Sequence, residues 1–158
     1  MKLGLRMLSV LLAIGMGISL TGCDDDSGGG ASEEETQLGK LTGAWNISSV
    51  TLDGTPRTTD FPGLVLTISG TFNAPGGTYA YSFTGTRPNP SPWPESGTWQ
   101  FDANPNSQIV RLEDGQKINY SLGSSNAQLT MEFNYQGSGF AGSRIEEVAG
   151  NWQFVFTK

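Results

Sequence analysis

From Gly43 onward, apolar side chains recur at every second position in short runs, and Gly-, Pro- and Asn-rich stretches separate the runs. A period of two puts alternate side chains on one face of an extended chain, so the pattern predicts strands. Eight runs meet it: 43–53, 64–70, 78–84, 97–101, 108–112, 117–122, 127–135 and 151–157. In the first, Trp45 and Ile47 share a face with Val50 and Leu52 only if the phase slips near Ser48-Ser49. That predicts a bulge, because one extra residue reverses the facing. Asp53-Gly54 predicts a tight turn, and Pro56, lacking an N–H, predicts that no ladder forms directly after it. Two links are long: the Pro-rich segment 85–96 and the glycine-dotted segment 136–149, where one short helical turn is expected near 145–148. Nothing between 38 and 158 sustains a helical period.

Short antiparallel strands joined by hairpin-length links are expected to close on themselves, since closure removes exposed edges. The predicted fold is all-β: an eight-stranded antiparallel meander closed as a barrel, with a two-sheet β-sandwich as the alternative. Eight strands enclose a lumen just wide enough for packed side chains or one small ligand. Trp45, Tyr81, Trp99, Phe133, Trp152 and Phe154 fall on the inward face and are the candidate ligand-lining residues. The same stripe also reads as core. Burying roughly 150–250 Å² per aromatic, at about 25 cal/mol per Å², stabilises the fold by a few kcal/mol each.

The first 22 residues follow another pattern. Lys2 and Arg6 precede an apolar run over 7–20 that is shorter than a spanning helix needs. This order reads as a removable export signal, with an uncleaved N-terminal anchor as the alternative. Leu20-Thr21-Gly22-Cys23 holds the only cysteine and resembles the lipobox of bacterial lipoproteins. The resemblance implies that Cys23 becomes the mature N-terminus and carries diacylglycerol and an N-acyl chain such as palmitate. It places the protein in the cell envelope, held to a membrane by lipid. One cysteine allows no intrachain disulfide, and without histidine no zinc site can be assembled from soft ligands. Residues 23–37 contain Asp24-Asp25-Asp26, a Gly-rich stretch and Glu33-Glu34-Glu35, and are expected to form a flexible tether. An acidic cluster behind the lipidated cysteine resembles the signal that sends lipoproteins of Bacteroidota to the outer face of the outer membrane. In enterobacteria, aspartate directly after that cysteine implies inner-membrane retention. The run also reads as a plain solvated spacer. Losing Lys2 and Arg6 with the signal moves the formal charge from −6 to −8, most of it in the tether. The folded part, 38–158, has no basic patch, which argues against a nucleic-acid partner.

Gly43-Ala44-Trp45 at the start of the first strand resembles the Gly-x-Trp opening of the small lipocalin-like lipoproteins of Bacteroidota. Gly97-Thr98-Trp99-Gln100-Phe101 resembles their mid-barrel strand, and Asn119-Tyr120 and Gln128-Leu129-Thr130-Met131 their later strands. The resemblance implies an eight-stranded barrel and binding of a small apolar molecule. The other expectation is a filled barrel that presents its loops to a protein or glycan.

The remaining motifs point to turns. Asp102, Asn104, Asn106 and Glu113 are spaced like the oxygen ligands of a calcium loop, but Ser107 stands where glycine is needed and the flanks are strands. They read as a turn, and no metal or cofactor is expected. Segment 87–95 carries four prolines around Trp93, which is expected either as an exposed contact platform or as a lid folded over the barrel mouth. No catalytic set emerges. Histidine, the commonest general base, is absent, and nothing brings Asp102, Glu113 and Glu132 together as a carboxylate pair.

Overall fold

The structure is a computed structural model that describes residues 31–140 and 148–158. The expected signal 1–22, Cys23, Asp24-Asp25-Asp26 and all but Val148 of the helical turn near 145–148 lie outside the described residues.

One helix precedes nine strands: α1 (Glu33–Leu41), β1 (Gly43–Leu52), β2 (Thr55–Pro56), β3 (Val65–Ser69), β4 (Tyr79–Thr84), β5 (Ser96–Phe101), β6 (Gln108–Arg111), β7 (Lys117–Leu122), β8 (Gln128–Tyr135) and β9 (Gly150–Thr157). Sequential strands pair antiparallel from β3 to β9, and β1 closes the ring. The first half of β1 pairs with β3 (Trp45 opposite Leu66), and the second half with β9 (Val50 opposite Phe154). The ladder slips between Ile47 and Ser49, where the phase of the sequence requires a bulge. Closure rules out the two-sheet sandwich. All eight expected strands are present within one residue of their expected ends.

Two expectations need correction. β2 forms despite Pro56, which pairs with Thr51 across a two-residue turn in which Asp53 and Gly54 both have positive φ. The strand lies at the edge of the sheet, where no neighbour calls on the missing N–H. The tether expected through Gln37 ends earlier, because Glu33–Leu41 are helical. Ser32 caps the helix by accepting from the Glu35 N–H at 3.1 Å, and Glu33, Glu34 and Glu35 sit in the first turn, where the helix dipole favours acids. Leu38 and Leu41 then bury the lower face of α1. No helix among the described residues is long and apolar enough to cross a membrane.

The helix closes one end of the barrel, lying over the β3–β4 and β5–β6 turns. Gln37 bonds Asn106, and Glu34 accepts from the Gly76 N–H at 2.9 Å. Trp45 anchors this end. It is fully buried, its indole N–H donates to the Leu41 carbonyl at 2.7 Å, and the Lys158 ammonium lies 4.3 Å above its ring. The other end is closed by loops. Segment 85–95 crosses the mouth and bridges to the segment before β9 through reciprocal Ser91–Phe140 backbone hydrogen bonds.

Candidate functional site in the barrel lumen

Inward residues of β4, β5, β6, β7 and β8 line the middle of the barrel. Alternation along β4 turns Tyr79, Tyr81 and Phe83 inward, and along β5 it turns Trp99 and Phe101 inward. On β6 the same alternation turns both Ile109 and Arg111 inward. What remains open is a cavity of about 10 Å³, lined by Leu41 at the helix end, Trp93 and Arg111 at the mouth, and Tyr81, Trp99 and Met131 between them. That is room for at most one water.

The lumen is full because a loop fills it. Trp93 is only 3% exposed. Its indole enters the barrel and meets Tyr81, Phe83 and Phe133 at centroid distances of 5.7, 5.3 and 5.2 Å. The platform expectation for Trp93 is therefore corrected: the side chain points inward as a lid, because burying it against aromatic walls outweighs leaving it in water. Its backbone is pinned by Arg87, which donates to the Trp93 carbonyl at 2.8 Å and lies 3.6 Å from Glu95.

Under the indole lies Arg111, with no exposed surface at all. Its guanidinium carbon is 4.8 Å from the centre of the Trp93 ring and 5.1 Å from that of Phe140. Three of its N–H groups are satisfied. Nε and Nη2 donate to the two carboxylate oxygens of Asp114 at 2.9 and 2.7 Å, and Nη1 donates to the Pro92 carbonyl at 2.8 Å. Burial opposes ionisation of Asp114, but the guanidinium and backbone N–H groups outweigh it and hold the carboxyl below its usual range. Beside it, Tyr81 donates its hydroxyl to Glu113 at 3.2 Å. Burial pushes that phenol well above the ordinary range, with Arg111 opposing and Glu113 reinforcing the shift. Two indole N–H groups, those of Trp93 and Trp99, are buried with no hydrogen-bond partner among the described residues.

Four of the six aromatic positions expected to line a ligand site converge here. Tyr81 and Trp99 border the cavity, and Phe133 and Phe154 pack against Trp93. The other two lie elsewhere: Trp45 is at the helix end, and Trp152 packs against Phe61 and donates its indole N–H to the Val148 carbonyl at 2.7 Å. Arg111 was not anticipated. The signal was available, since a period of two starting from Ile109 points residue 111 inward, but a charged side chain at an inward position is easily read as a strand end. The oxygen-rich turn does not gather round one point. Asp102 pairs with Lys117 at 2.6 Å, Asn104 accepts from the Asn106 N–H at 3.2 Å, and Glu113 turns away to Thr98 and Tyr81. Glu132 bonds Gln153 at 2.6 Å and does not meet Asp102 or Glu113.

A family model described as a lipocalin-like domain matches residues 41–138, which spans β1 to β8. No curated protein matches the chain.

Proposed function

Because the chain belongs to the lipocalin-like domain family, we propose that it is a binding protein that takes one small apolar molecule into its lumen, in the place Trp93 occupies when the barrel is empty. The observation that carries this reading is that a flat apolar group supplied by a loop, and not by the barrel wall, fills the lumen. A wall side chain cannot leave without breaking the sheet, whereas a loop side chain can. A binding-competent state with the lid withdrawn is then a minor population, and the apparent affinity is reduced by that fraction.

The small size of the remaining cavity favours a second reading, a filled barrel that presents its loops to a protein or glycan. Against it, Leu112 is the only large apolar side chain exposed among the described residues, so no apolar docking patch supports a protein partner. Titration with N-phenyl-1-naphthylamine, which fluoresces in apolar surroundings, separates the two. A ligand-binding barrel saturates at one probe per chain, and Trp93→Ala binds at least about tenfold tighter because the lid no longer competes. Absence of saturable binding in both proteins, with circular dichroism showing intact sheet, leaves the filled barrel.

We also infer that the barrel is lipid-anchored through Cys23 in the cell envelope, at the outer membrane. The lipobox-like Leu20-Thr21-Gly22-Cys23 supports this. Two or more acyl chains make such an anchor firm, where one makes it marginal. Mass spectrometry of the protein extracted from its host membrane should find Cys23 as an acylated N-terminus. Cys23→Ser should leave the leader attached. An unmodified Cys23 behind an intact leader in the wild-type protein would overturn the inference.

A further inference from the structure

We propose that the molecule this lumen accepts is a neutral, flat apolar compound carrying a carbonyl-type hydrogen-bond acceptor, held by Arg111 and Trp99, and not a fatty-acid anion. The proposal rests on the ligand-in-lumen reading and names the ligand's chemistry.

The segment now in the site is its template. Pro92-Trp93 presents two groups to the interior: a flat ring against Phe83 and Phe133, and a neutral carbonyl oxygen 2.8 Å from Arg111 Nη1. When the lid withdraws, it takes that carbonyl with it. Nη1 is then a buried donor on a charged group with nothing to bond, while Nε and Nη2 stay committed to Asp114. An incoming molecule without an acceptor would leave this donor unpaired, which is a heavy penalty in a dry interior.

A second donor stands next to it. Trp99 is the cross-strand partner of Arg111, and both side chains border the same cavity. The Trp99 indole N–H is buried, and none of the described residues accepts from it even with the lid in place. The rest of the lining is apolar, with Leu66, Ile68, Ile118 and Met131 among it. The site therefore offers donors, and its one hydroxyl, that of Tyr81, is already engaged with Glu113.

Charge decides between a carbonyl and a carboxylate. Arg111 is already neutralised by a bidentate carboxylate, and Glu113 places a second carboxylate on the hydroxyl of Tyr81 in the cavity wall. Arg111 has no unbalanced charge to offer, so an anion entering this apolar lumen would give up its hydration without gaining a counter-ion.

Three naphthalenes of nearly equal size test this: 2-acetonaphthone (neutral acceptor), 2-naphthoate (anion) and 2-ethylnaphthalene (no acceptor). Each is titrated at neutral pH into the ¹⁵N-labelled protein, following the indole N–H signals of its four tryptophans. The acetonaphthone is expected to bind about tenfold or more tighter than either of the others, the scale of one hydrogen bond, and to shift the Trp93 and Trp99 signals. Simple hydrophobic uptake would rank 2-ethylnaphthalene first, the reverse order. If 2-ethylnaphthalene or 2-naphthoate binds as tightly as the ketone, the carbonyl proposal falls while the lumen reading stands. If none of the three moves the Trp93 signal and N-phenyl-1-naphthylamine also fails to bind, the lumen reading itself falls and this proposal goes with it. Trp93→Ala should tighten all three and keep their order. A changed order would show that the lid, and not Arg111 and Trp99, does the selecting.

Discussion

Asp114→Ala should lower the unfolding free energy by about 3 kcal/mol, read from urea denaturation at neutral pH. Removing one partner of a buried ion pair costs about 3–5 kcal/mol, because the remaining charge stays in a low-dielectric interior. The lower end is expected here. The Asp114 side chain is 26% exposed, and the guanidinium keeps its bond to Pro92. The opposite truncation, Arg111→Met, should cost less. It removes the buried charge, leaves Asp114 at the surface where water can reach it, and puts a flexible apolar side chain under Trp93. A loss below about 1 kcal/mol for Asp114→Ala, or a larger loss for Arg111→Met, would mean that the pair does not hold the mouth together. The pH dependence follows from the lowered carboxyl of Asp114. A depressed folded-state pKa contributes stability that is present above the ordinary carboxylate range and is lost as pH falls through the folded value. The wild-type protein should lose this contribution on acidification, and Asp114→Ala should not.

Trp45→Ala should cost about 3–5 kcal/mol, the range for truncating a buried Trp, with the cavity left behind included. The position joins three parts of the fold. Its strand pairs with both β3 and β9, so it sits where the ring closes. Its indole N–H satisfies the Leu41 carbonyl at the C-terminus of α1, one of the carbonyls that a helix end leaves without an intrahelical partner. Its ring lies under Lys158, whose ammonium also donates to the Lys40 carbonyl at 2.9 Å. Trp45→Phe keeps most of the packing and loses the hydrogen bond, so it should cost less, with about 1 kcal/mol from the bond itself. Guanidinium denaturation of both variants checks the order. If Trp45→Phe proves as damaging as Trp45→Ala, ring packing is not what holds the helix end.

The strands were legible because inward and outward facing follows from position parity alone. The alternation in 127–135 and 151–157 anticipates β8 and β9, and the phase slip at Ser48-Ser49 anticipates the bulge in β1. The helix was not anticipated, because the acidic run that contains Ser32 and Glu35 has the composition of a tether. Its docking depends on Gln37, Leu38 and Leu41 meeting the far ends of strands that come much later in the chain.

Parity of apolar positions alone thus determines the strands and turns Tyr81, Trp99, Phe133 and Phe154 to the buried face, because each residue's facing is a local property of an extended backbone. Closure into one barrel and not a two-sheet sandwich comes instead from β1 pairing with both β3 and β9. Whether that barrel is empty or filled is not local. It depends on where the Pro-rich loop carries Trp93 and on Arg111 finding Asp114 and the Pro92 carbonyl. Only the tertiary structure decides this, because a loop's path is set by what its side chains can bury against once the walls are in place, and no periodicity in the loop encodes that.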